Sequence, residues 1–145
     1  MKKTIIFVLF STILLANQLK IKNQDVSPAQ LQKQNKQIVQ LAAKEINKQL
    51  PQTVDKYTTL DKLIPNGTHL EYIFKINTGA KSDDAVKKED RSRMERAVTY
   101  GVCKSSKRFM EAQITIVYKY LSAKTNVELF EFVINQQKCY NIMQR

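Results

Sequence analysis

The stretch YTTLDKLIPNGTHLEYIFKI, residues 57–76, predicts the centre of the fold. At Asn66-Gly67 the chain carries two residues that readily adopt the positive φ angles of a tight hairpin turn. After this turn every second side chain is apolar, which indicates one buried strand face made of Leu70, Tyr72, Phe74 and Ile76. We therefore expect residues 57–76 to form an antiparallel hairpin with one aromatic-rich face.

Two later stretches show the same alternation. ITIVYKYL, residues 114–121, and VELFEFVI, residues 127–134, each place tyrosines or phenylalanines on one face of a strand. A turn is expected between them, at residues 122–126. Together with the hairpin, these stretches predict a four-stranded antiparallel sheet with one aromatic face.

A helix is expected before the hairpin. Ser27, Pro28 and Gln30 form a start signal, because proline is favoured in the first turn and Ser-x-x-Gln makes a capping box. Apolar residues then recur at three- and four-residue spacing, namely Leu31, Ile38, Val39, Ala42, Ala43, Ile46 and Leu50. Pro51 ends the pattern. We expect this apolar stripe to pack on the aromatic face, although a Lys- and Gln-rich helix of this kind also suits a membrane surface.

Residues 83–101 predict a second helix. Asp83 and Asp84 stand at its start, where the helix dipole favours negative charge. Acid-before-base pairs four residues apart follow, such as Glu89 with Arg93. The order of elements is therefore α-β-β-α-β-β, an α+β fold with an amphipathic helix packed on the sheet.

The second face of the predicted sheet is half apolar. Its apolar residues are Ile73, Val117, Leu121, Leu129 and Val133, and they alternate with His69, Lys75, Lys119 and Glu131. Either the second helix covers this face, or the face is a contact surface for a partner or a second copy of the chain. The five apolar residues are the candidate interaction face.

The N-terminus carries the features of an export signal. Lys2 and Lys3 precede an apolar-to-neutral run over residues 4–16, which has the length of a signal-peptide core and is short for a membrane span of about 20 residues. We expect cleavage after Ala16. Because Leu14 occupies a place where a small residue is preferred, an uncleaved inner-membrane anchor through residues 4–16 is the alternative.

This signal divides the chain into three parts. They are a signal peptide over residues 1–16, a polar leader over residues 17–27 and a single α+β domain over residues 28–145. The mature protein is then expected to be periplasmic or secreted.

Cys103 and Cys139 are the two cysteines of the chain and lie 36 positions apart. In an oxidising compartment such a pair predicts one disulfide. The alternatives are a reactive Cys103 thiol, activated by nearby cations, and a metal site. A nucleophile needs a base, and nothing in the sequence brings the single histidine, His69, beside Cys103. Two cysteines and one distant histidine match no zinc spacing, so we expect no metal.

The chain is strongly basic. Its formal net charge is +11, or +9 without Lys2 and Lys3. A balance of this kind favours anionic partners, although cations spread along the chain are also typical of a solvated surface. Lys104, Lys107 and Arg108, which follow Cys103, are the candidate anion-binding residues.

The stretch NKQLPQTVDKYTTLD, residues 47–61, resembles part of a group of small exported bacterial proteins of unassigned function. Their pattern is a helix ending in Leu-Pro, a Val-Asp and a Thr-x-Leu entering a strand, a later helix ending in Cys, a Tyr-rich strand and a closing Cys. The matching residues are Leu50, Pro51, Val54, Asp55, Thr58, Leu60, Cys103, Tyr118, Tyr120 and Cys139. The resemblance covers roughly residues 38–139, and SAKTN replaces the usual Gly-containing turn between the last two strands. It implies export, the disulfide and the α+β order, and it implies no activity.

The sequence contains no motif that indicates catalysis, such as G-x-S-x-G, H-E-x-x-H or a phosphate-binding glycine loop. Glu71 and Glu131 would pair if their strands were neighbours, but salt bridges to Lys75 and Lys119 are the simpler use. Asp55 and Thr58, in the stretch that carries the resemblance, are expected to bond their own backbone.

We therefore expect a protein that is not an enzyme and needs no cofactor. It would be an interaction or accessory protein of the bacterial envelope or secreted fraction, and its partner would be another protein, such as a secretion-system component or a target protein. The alternative is a basic protein that binds a polyanion: anionic lipid, polysaccharide or nucleic acid.

Overall fold

The structure is a computed structural model that describes residues 26–144. The predicted signal peptide, residues 1–16, lies outside the described residues, as does the polar leader except for Val26 and Ser27. No helix within residues 26–144 is both long and apolar enough to cross a membrane.

Four helices and five strands follow one another in the described part of the chain. In order they are α1 (Pro28–Asn47), β1 (Gln52–Thr53), β2 (Thr58–Asn66), β3 (His69–Ile76), α2 (Asp83–Ser105), α3 (Lys107–Glu111), β4 (Thr115–Ser122), β5 (Glu128–Ile134) and α4 (Gln136–Met143).

The predicted start of α1 is confirmed. The backbone N–H of Gln30 donates to the Ser27 hydroxyl oxygen at 3.3 Å, and the Gln30 side-chain oxygen accepts from the Ser27 N–H at 3.2 Å. Pro28 occupies the first helical position. These bonds satisfy two backbone donors that the first turn of a helix leaves unpaired.

The predicted hairpin is confirmed as well. β2 and β3 pair antiparallel with Asn66 opposite His69, and Gly67 adopts a φ of 60° in the turn. The register shifts between Leu60 and Lys62, so that Asp61 bulges out of the ladder. A bulge of this kind increases the local twist of the edge of a sheet.

The sheet has five strands in the order β1-β2-β3-β4-β5, and β3 pairs with β4 in parallel. The expected four-stranded antiparallel sheet is therefore wrong in the number of strands and in the direction of one pair. β1 has only two residues, too few for an alternation to be visible. A parallel pair needs a crossover of a dozen or more residues, and residues 77–114, which contain α2 and α3, provide it.

Both long helices pack on the aromatic face. Val39 and Ala43 of α1 share a core cluster with Leu63 and Leu70. On α2, Val86, Val102 and Cys103 belong to a second cluster, whose members from the sheet include Phe130, Phe132 and Ile134. Within that face, neighbouring aromatic rings lie with their centroids 4.7–6.5 Å apart. The expected packing of α1 on the sheet is confirmed, and α2 packs on the same face of the sheet, against β5.

The predicted disulfide between Cys103 and Cys139 is present, with 5.3 Å between the two Cα atoms. Cys103 lies in the last turn of α2, as expected. Cys139 lies in α4 and not at the end of the last strand, because the chain turns into this helix after β5. The disulfide therefore joins two helices.

Candidate functional site

The sheet has a second face, opposite α1 and α2, which we call the polar face. It carries Ile64, Glu71, Ile73, Val117, Lys119, Glu131 and Val133, which lie in neighbouring register positions. None of these residues belongs to either core cluster of the described residues. The interpretation in which the second helix covers this face is therefore wrong.

The five residues of the candidate interaction face do not form one exposed patch. Leu129 has no register partner at a bulge in β5 and belongs to the core cluster, so it does not lie on the polar face. Ile73 and Val117 are on that face but only 5% and 4% exposed. Leu121 is half-buried, and Val133, at 43%, is the exposed member. An alternating pattern cannot reveal a bulge, which moves a residue to the other face.

A charged cluster occupies the middle of the polar face. Lys119 Nζ lies 3.2 Å from a carboxylate oxygen of Glu71 and 3.3 Å from one of Glu131. Asn66 donates a further hydrogen bond to Glu71 at 2.8 Å. The expected partner Lys75 donates to Asn126 instead. One lysine thus pairs with both glutamates, an arrangement that links three neighbouring strands.

The titration of Glu71 reflects these contacts. Burial acts to raise the pKa of Glu71, but the hydrogen bonds from Asn66 and Lys119 outweigh it and hold the pKa below its ordinary value of 4.5. The hydrogen bond to Glu71 in turn raises the pKa of Lys119. Both groups are therefore charged at neutral pH, and neither is poised for proton transfer.

The Asp55 carboxylate bonds its own loop, as predicted. One oxygen accepts from the N–H groups of Tyr57 and Thr58 at 2.8 and 2.9 Å. The bond from the Tyr57 backbone lowers the pKa of Asp55. The residue therefore holds the entry into β2.

The three candidate anion-binding residues lie at the junction of α2 and α3. Lys104, Lys107 and Arg108 are all exposed, and Lys107 pairs loosely with Glu111 at 3.7 Å. Exposed ion pairs of this kind contribute little to the stability of the fold. In the described part of the chain, no group of three or more His, Cys, Asp and Glu side chains could hold a metal ion.

A groove that the sequence pattern did not reveal runs between α2 and α4. We call it the α2–α4 groove. It has a volume of about 1110 Å³ and is lined by Ser92, Arg93, Glu95, Arg96, Ala97, Thr99, Tyr100, Lys138 and Ile142. Its α4 wall comes from a helix of eight residues that was not predicted. The sequence does contain the arginines of α2 that line this groove, but their pattern indicated only a solvated helix face.

The lining of the groove contains three cationic side chains and one carboxylate. Lys138 Nζ pairs with Glu95 at 2.7 Å, and Arg93 pairs with Asp90 at 2.6 Å. The hydrogen bond from Lys138 lowers the pKa of Glu95. Arg96 is exposed and has no ion-pair partner among residues 26–144.

A buried hydroxyl lies in the lining of the same groove. Thr99 is 0% exposed, and its Oγ1 has no hydrogen-bond partner among the described residues. Cys103 follows Thr99 by one helical turn, and Cys139 is adjacent to Lys138. The disulfide therefore joins the two helices that form the walls of the groove.

With this geometry, the chain can be compared with known proteins. It belongs to a family that is described as a domain of unknown function, DUF8479, whose profile matches residues 33–130. No curated protein sequence matches the chain.

Solved structures share the fold. A candidate secreted protein from Pseudomonas aeruginosa has a TM-score of 0.65 at 13% identity, over 75% of this chain and 96% of its own. The type II secretion system pilotin EpsS from Vibrio vulnificus has a TM-score of 0.65 at 11% identity, over 77% and 96%. The type II secretion system pilotin AspS from Vibrio cholerae has a TM-score of 0.62 at 12% identity, over 77% and 97%. At such low identity, the likeness extends to the fold alone.

Proposed function

We propose that this protein is an exported, non-enzymatic accessory protein that binds a protein component of a bacterial secretion system. The observation that carries the proposal is the extent of the structural likeness to the two Vibrio pilotins. The match includes 96% and 97% of the pilotin chains, so the whole pilotin fold is present here. The signal-like N-terminus and the disulfide both support export from the cytoplasm.

The described surfaces fit binding better than chemistry. The two glutamates of the polar face both form ion pairs with Lys119. The α2–α4 groove contains charged groups beside a tyrosine and an isoleucine, which is the composition of a protein-binding surface. A partner protein would be held by this shape and charge together.

The test is co-purification of the full chain, tagged at its C-terminus, from its native envelope after cross-linking in cells. We expect one protein partner, and a saturable complex when both proteins are purified and mixed. The protein partner must remain bound after treatment with nuclease and with detergent. A secretion defect on deletion of the gene would support the assignment further.

The alternative function, polyanion binding, predicts a different salt response. A protein that neutralises six to ten phosphates loses affinity roughly 10³- to 10⁵-fold between about 50 and 200 mM salt. A protein complex that retains its affinity within about tenfold over this range would exclude that mechanism. Loss of all binding over the same range, with no protein partner recovered, would overturn the proposed function.

A further inference from the structure

The turn between β2 and β3 contains the one asparagine of the chain that is followed by a glycine. Asn66 and Gly67 are both exposed, and every other asparagine precedes a residue that has a side chain. In an Asn-Gly sequence, no Cβ hinders the approach of the glycine nitrogen to the side-chain carbonyl of the asparagine. An intramolecular attack on an asparagine is therefore easiest at this position.

The nucleophile of such a reaction, the backbone nitrogen of Gly67, is accessible. No described residue accepts a hydrogen bond from the Gly67 N–H, because the ladder ends with the pair of Asn66 and His69 on either side of the turn. Apart from the adjacent residues, no atom lies within 4 Å of the position that a Cβ of Gly67 would occupy. Water and hydroxide can therefore reach the turn.

The group that is attacked is held by a single contact. Within residues 26–144, the side chain of Asn66 makes one hydrogen bond, in which Nδ2 donates to a carboxylate oxygen of Glu71 at 2.8 Å. This bond engages the amide nitrogen and not the carbonyl carbon Cγ, which is the atom that a nucleophile attacks. The contact restrains the side chain without replacing the reactive atom's access to Gly67.

The same contact determines what the reaction would do to the fold. Glu71 is 8% exposed, and its other partner, Lys119, is shared with Glu131. If the amide of Asn66 became a carboxylate, Glu71 would lose a hydrogen-bond donor and face a second negative charge at the same short distance. Two carboxylates in such a position repel each other, and one shared lysine does not compensate for both changes.

We propose that Asn66 is a site of spontaneous deamidation, and that the product destabilises the protein because it opposes Glu71. This inference goes beyond the proposed accessory function and does not depend on it.

The reaction has two steps. Hydroxide removes the Gly67 N–H proton, the nitrogen bonds to Asn66 Cγ, and the Cγ–Nδ2 bond breaks, so that the amide nitrogen takes a proton from water and leaves as ammonia. Water then opens the cyclic imide. Cleavage between Cγ and the Gly67 nitrogen gives aspartate, whereas cleavage between the backbone carbonyl carbon and that nitrogen gives isoaspartate. No electrons are transferred, and either product carries one new negative charge.

The first test follows the reaction in the purified exported protein. The folded protein is aged at mildly alkaline pH, where the glycine nitrogen loses its proton more readily. Mass spectrometry of its peptides detects the exchange of an amide NH2 for OH, which raises the mass by about 1 Da. We expect the peptide that contains Asn66 to change before any other asparagine-containing peptide. Asn66→Gln should abolish the change, because its longer side chain would have to close a larger ring.

A free peptide of residues 64–70 serves as the clock for this test, since it has the same sequence without the fold. If Asn66 is still unchanged in the folded protein when the free peptide is fully converted, the proposed site is wrong. Earlier reaction of another asparagine would also overturn it.

The second test measures the effect of the product on stability. Asn66→Asp introduces the product charge and should lower the melting temperature by at least about 4 °C. Asn126→Asp is the matched control, because it makes the same change in the exposed turn of the other hairpin, where Lys75 donates to Asn126. Its melting temperature should stay equal or rise. Equal losses for the two variants would show that the charge acts without regard to Glu71.

Glu71→Gln identifies the partner of the new charge. A glutamine at this position can donate a hydrogen bond to the carboxylate, so in this background Asn66→Asp should cost less than about half of the melting temperature that it costs in the wild type. If Asn66→Asp alone does not fold, recovery of the circular dichroism spectrum by Glu71→Gln provides the same comparison. An equal loss in both backgrounds, or no recovery of folding, would overturn the role of Glu71. None of these measurements involves a partner protein, so their failure leaves the accessory function untouched.

Discussion

Asn47 takes the place of a missing strand neighbour at the edge of the sheet. Its side-chain amide donates to the carbonyl of Leu63 at 2.8 Å and accepts from the N–H of Leu63 at 2.7 Å. β1 pairs only with Thr59 and Leu60, so it does not reach Leu63. The last helical residue of α1 thus fixes the helix to β2 through two backbone groups.

Asn47→Ala should lower the free energy of unfolding by about 2–3 kcal/mol, because two backbone groups in a half-buried position lose their partners. Gln40→Ala, at an exposed position of the same helix, should change it by less than about 0.5 kcal/mol. Urea unfolding at neutral pH measures both. Equal midpoints for the two variants would mean that water replaces the Asn47 amide without cost.

The lowered pKa of Glu71 predicts how the free energy of unfolding depends on pH. Its pKa is lowered in the folded protein, so the unfolded chain binds the proton more readily below the ordinary value of 4.5. The stabilisation is complete above that value and is lost as the pH falls through the folded pKa. Glu71→Gln should therefore be less sensitive to acid than the wild type. Unfolding free energies measured from neutral to acidic pH test this, and parallel curves would contradict it.

At the scale of elements, the disulfide is the strongest single tie between α2 and α4. A loop closed over 36 positions should stabilise the protein by roughly 3–4 kcal/mol in the chain-entropy model. Cys103→Ser with Cys139→Ser should lower the unfolding free energy by about this amount. Titration of the denatured, unreduced wild type should find no free thiol. About two free thiols per chain would show that the pair is not oxidised in the exported protein.

The order of elements could be predicted from the sequence because each long element has its own periodicity. The capping box at Ser27 and the Asn66-Gly67 turn are local signals, and the structure confirms both. The direction of the strands, in contrast, could not be predicted from the sequence. Alternation places Leu70 and Ile116 on a buried face whether their strands run parallel or antiparallel, so the pattern carries no information about the β3–β4 pair.

The α2–α4 groove could not be predicted for a related reason. It exists only because the eight residues of α4 return to α2, and that return depends on tertiary packing of Cys139 and on the disulfide. Propensity is a weak guide to such a short helix. The polar face was predicted in outline, but the bulge that removes Leu129 from it depends on the pairing of β5 with β4.

At the scale of the whole molecule, the two helices leave the sheet with one covered and one uncovered side. The central residues of the polar face are shielded nevertheless, whereas Val133 near its edge is exposed. This difference decides which substitutions test the polar face as a binding surface and which only test the stability of the fold.

Val133→Asp should leave the protein folded, whereas Val117→Asp should destabilise it by roughly 4 kcal/mol, since a carboxylate would be buried next to Glu71. Circular dichroism melting curves measure both. If Val133→Asp is folded and still binds the partner, the polar face is not the docking surface. If the folded variant no longer binds the partner, docking on the polar face replaces docking on the groove.

The parallel pairing of β3 with β4 also determines the timing of folding. In the β2–β3 hairpin, paired residues can be near neighbours in the sequence, as Asn66 and His69 are. In contrast, each residue of β3 pairs with a residue of β4 that lies 46 positions later in the sequence. Closing the longer loop costs more entropy, and distant contacts slow folding. The two hairpins, β2–β3 and β4–β5, should therefore form first and meet late at the parallel pair.

This order has a kinetic signature. Gly67→Ala forces a side chain onto a φ of 60° in the early hairpin and should slow folding, whereas Val102→Ala in α2 should chiefly speed unfolding. Stopped-flow measurements distinguish these effects, and a faster unfolding rate for both variants with unchanged folding would refute the order. Until the parallel pair closes, the chain would consist of two nascent halves, each with a strand edge able to join a neighbouring molecule, and this is the interval in which a newly exported copy is most exposed to aggregation.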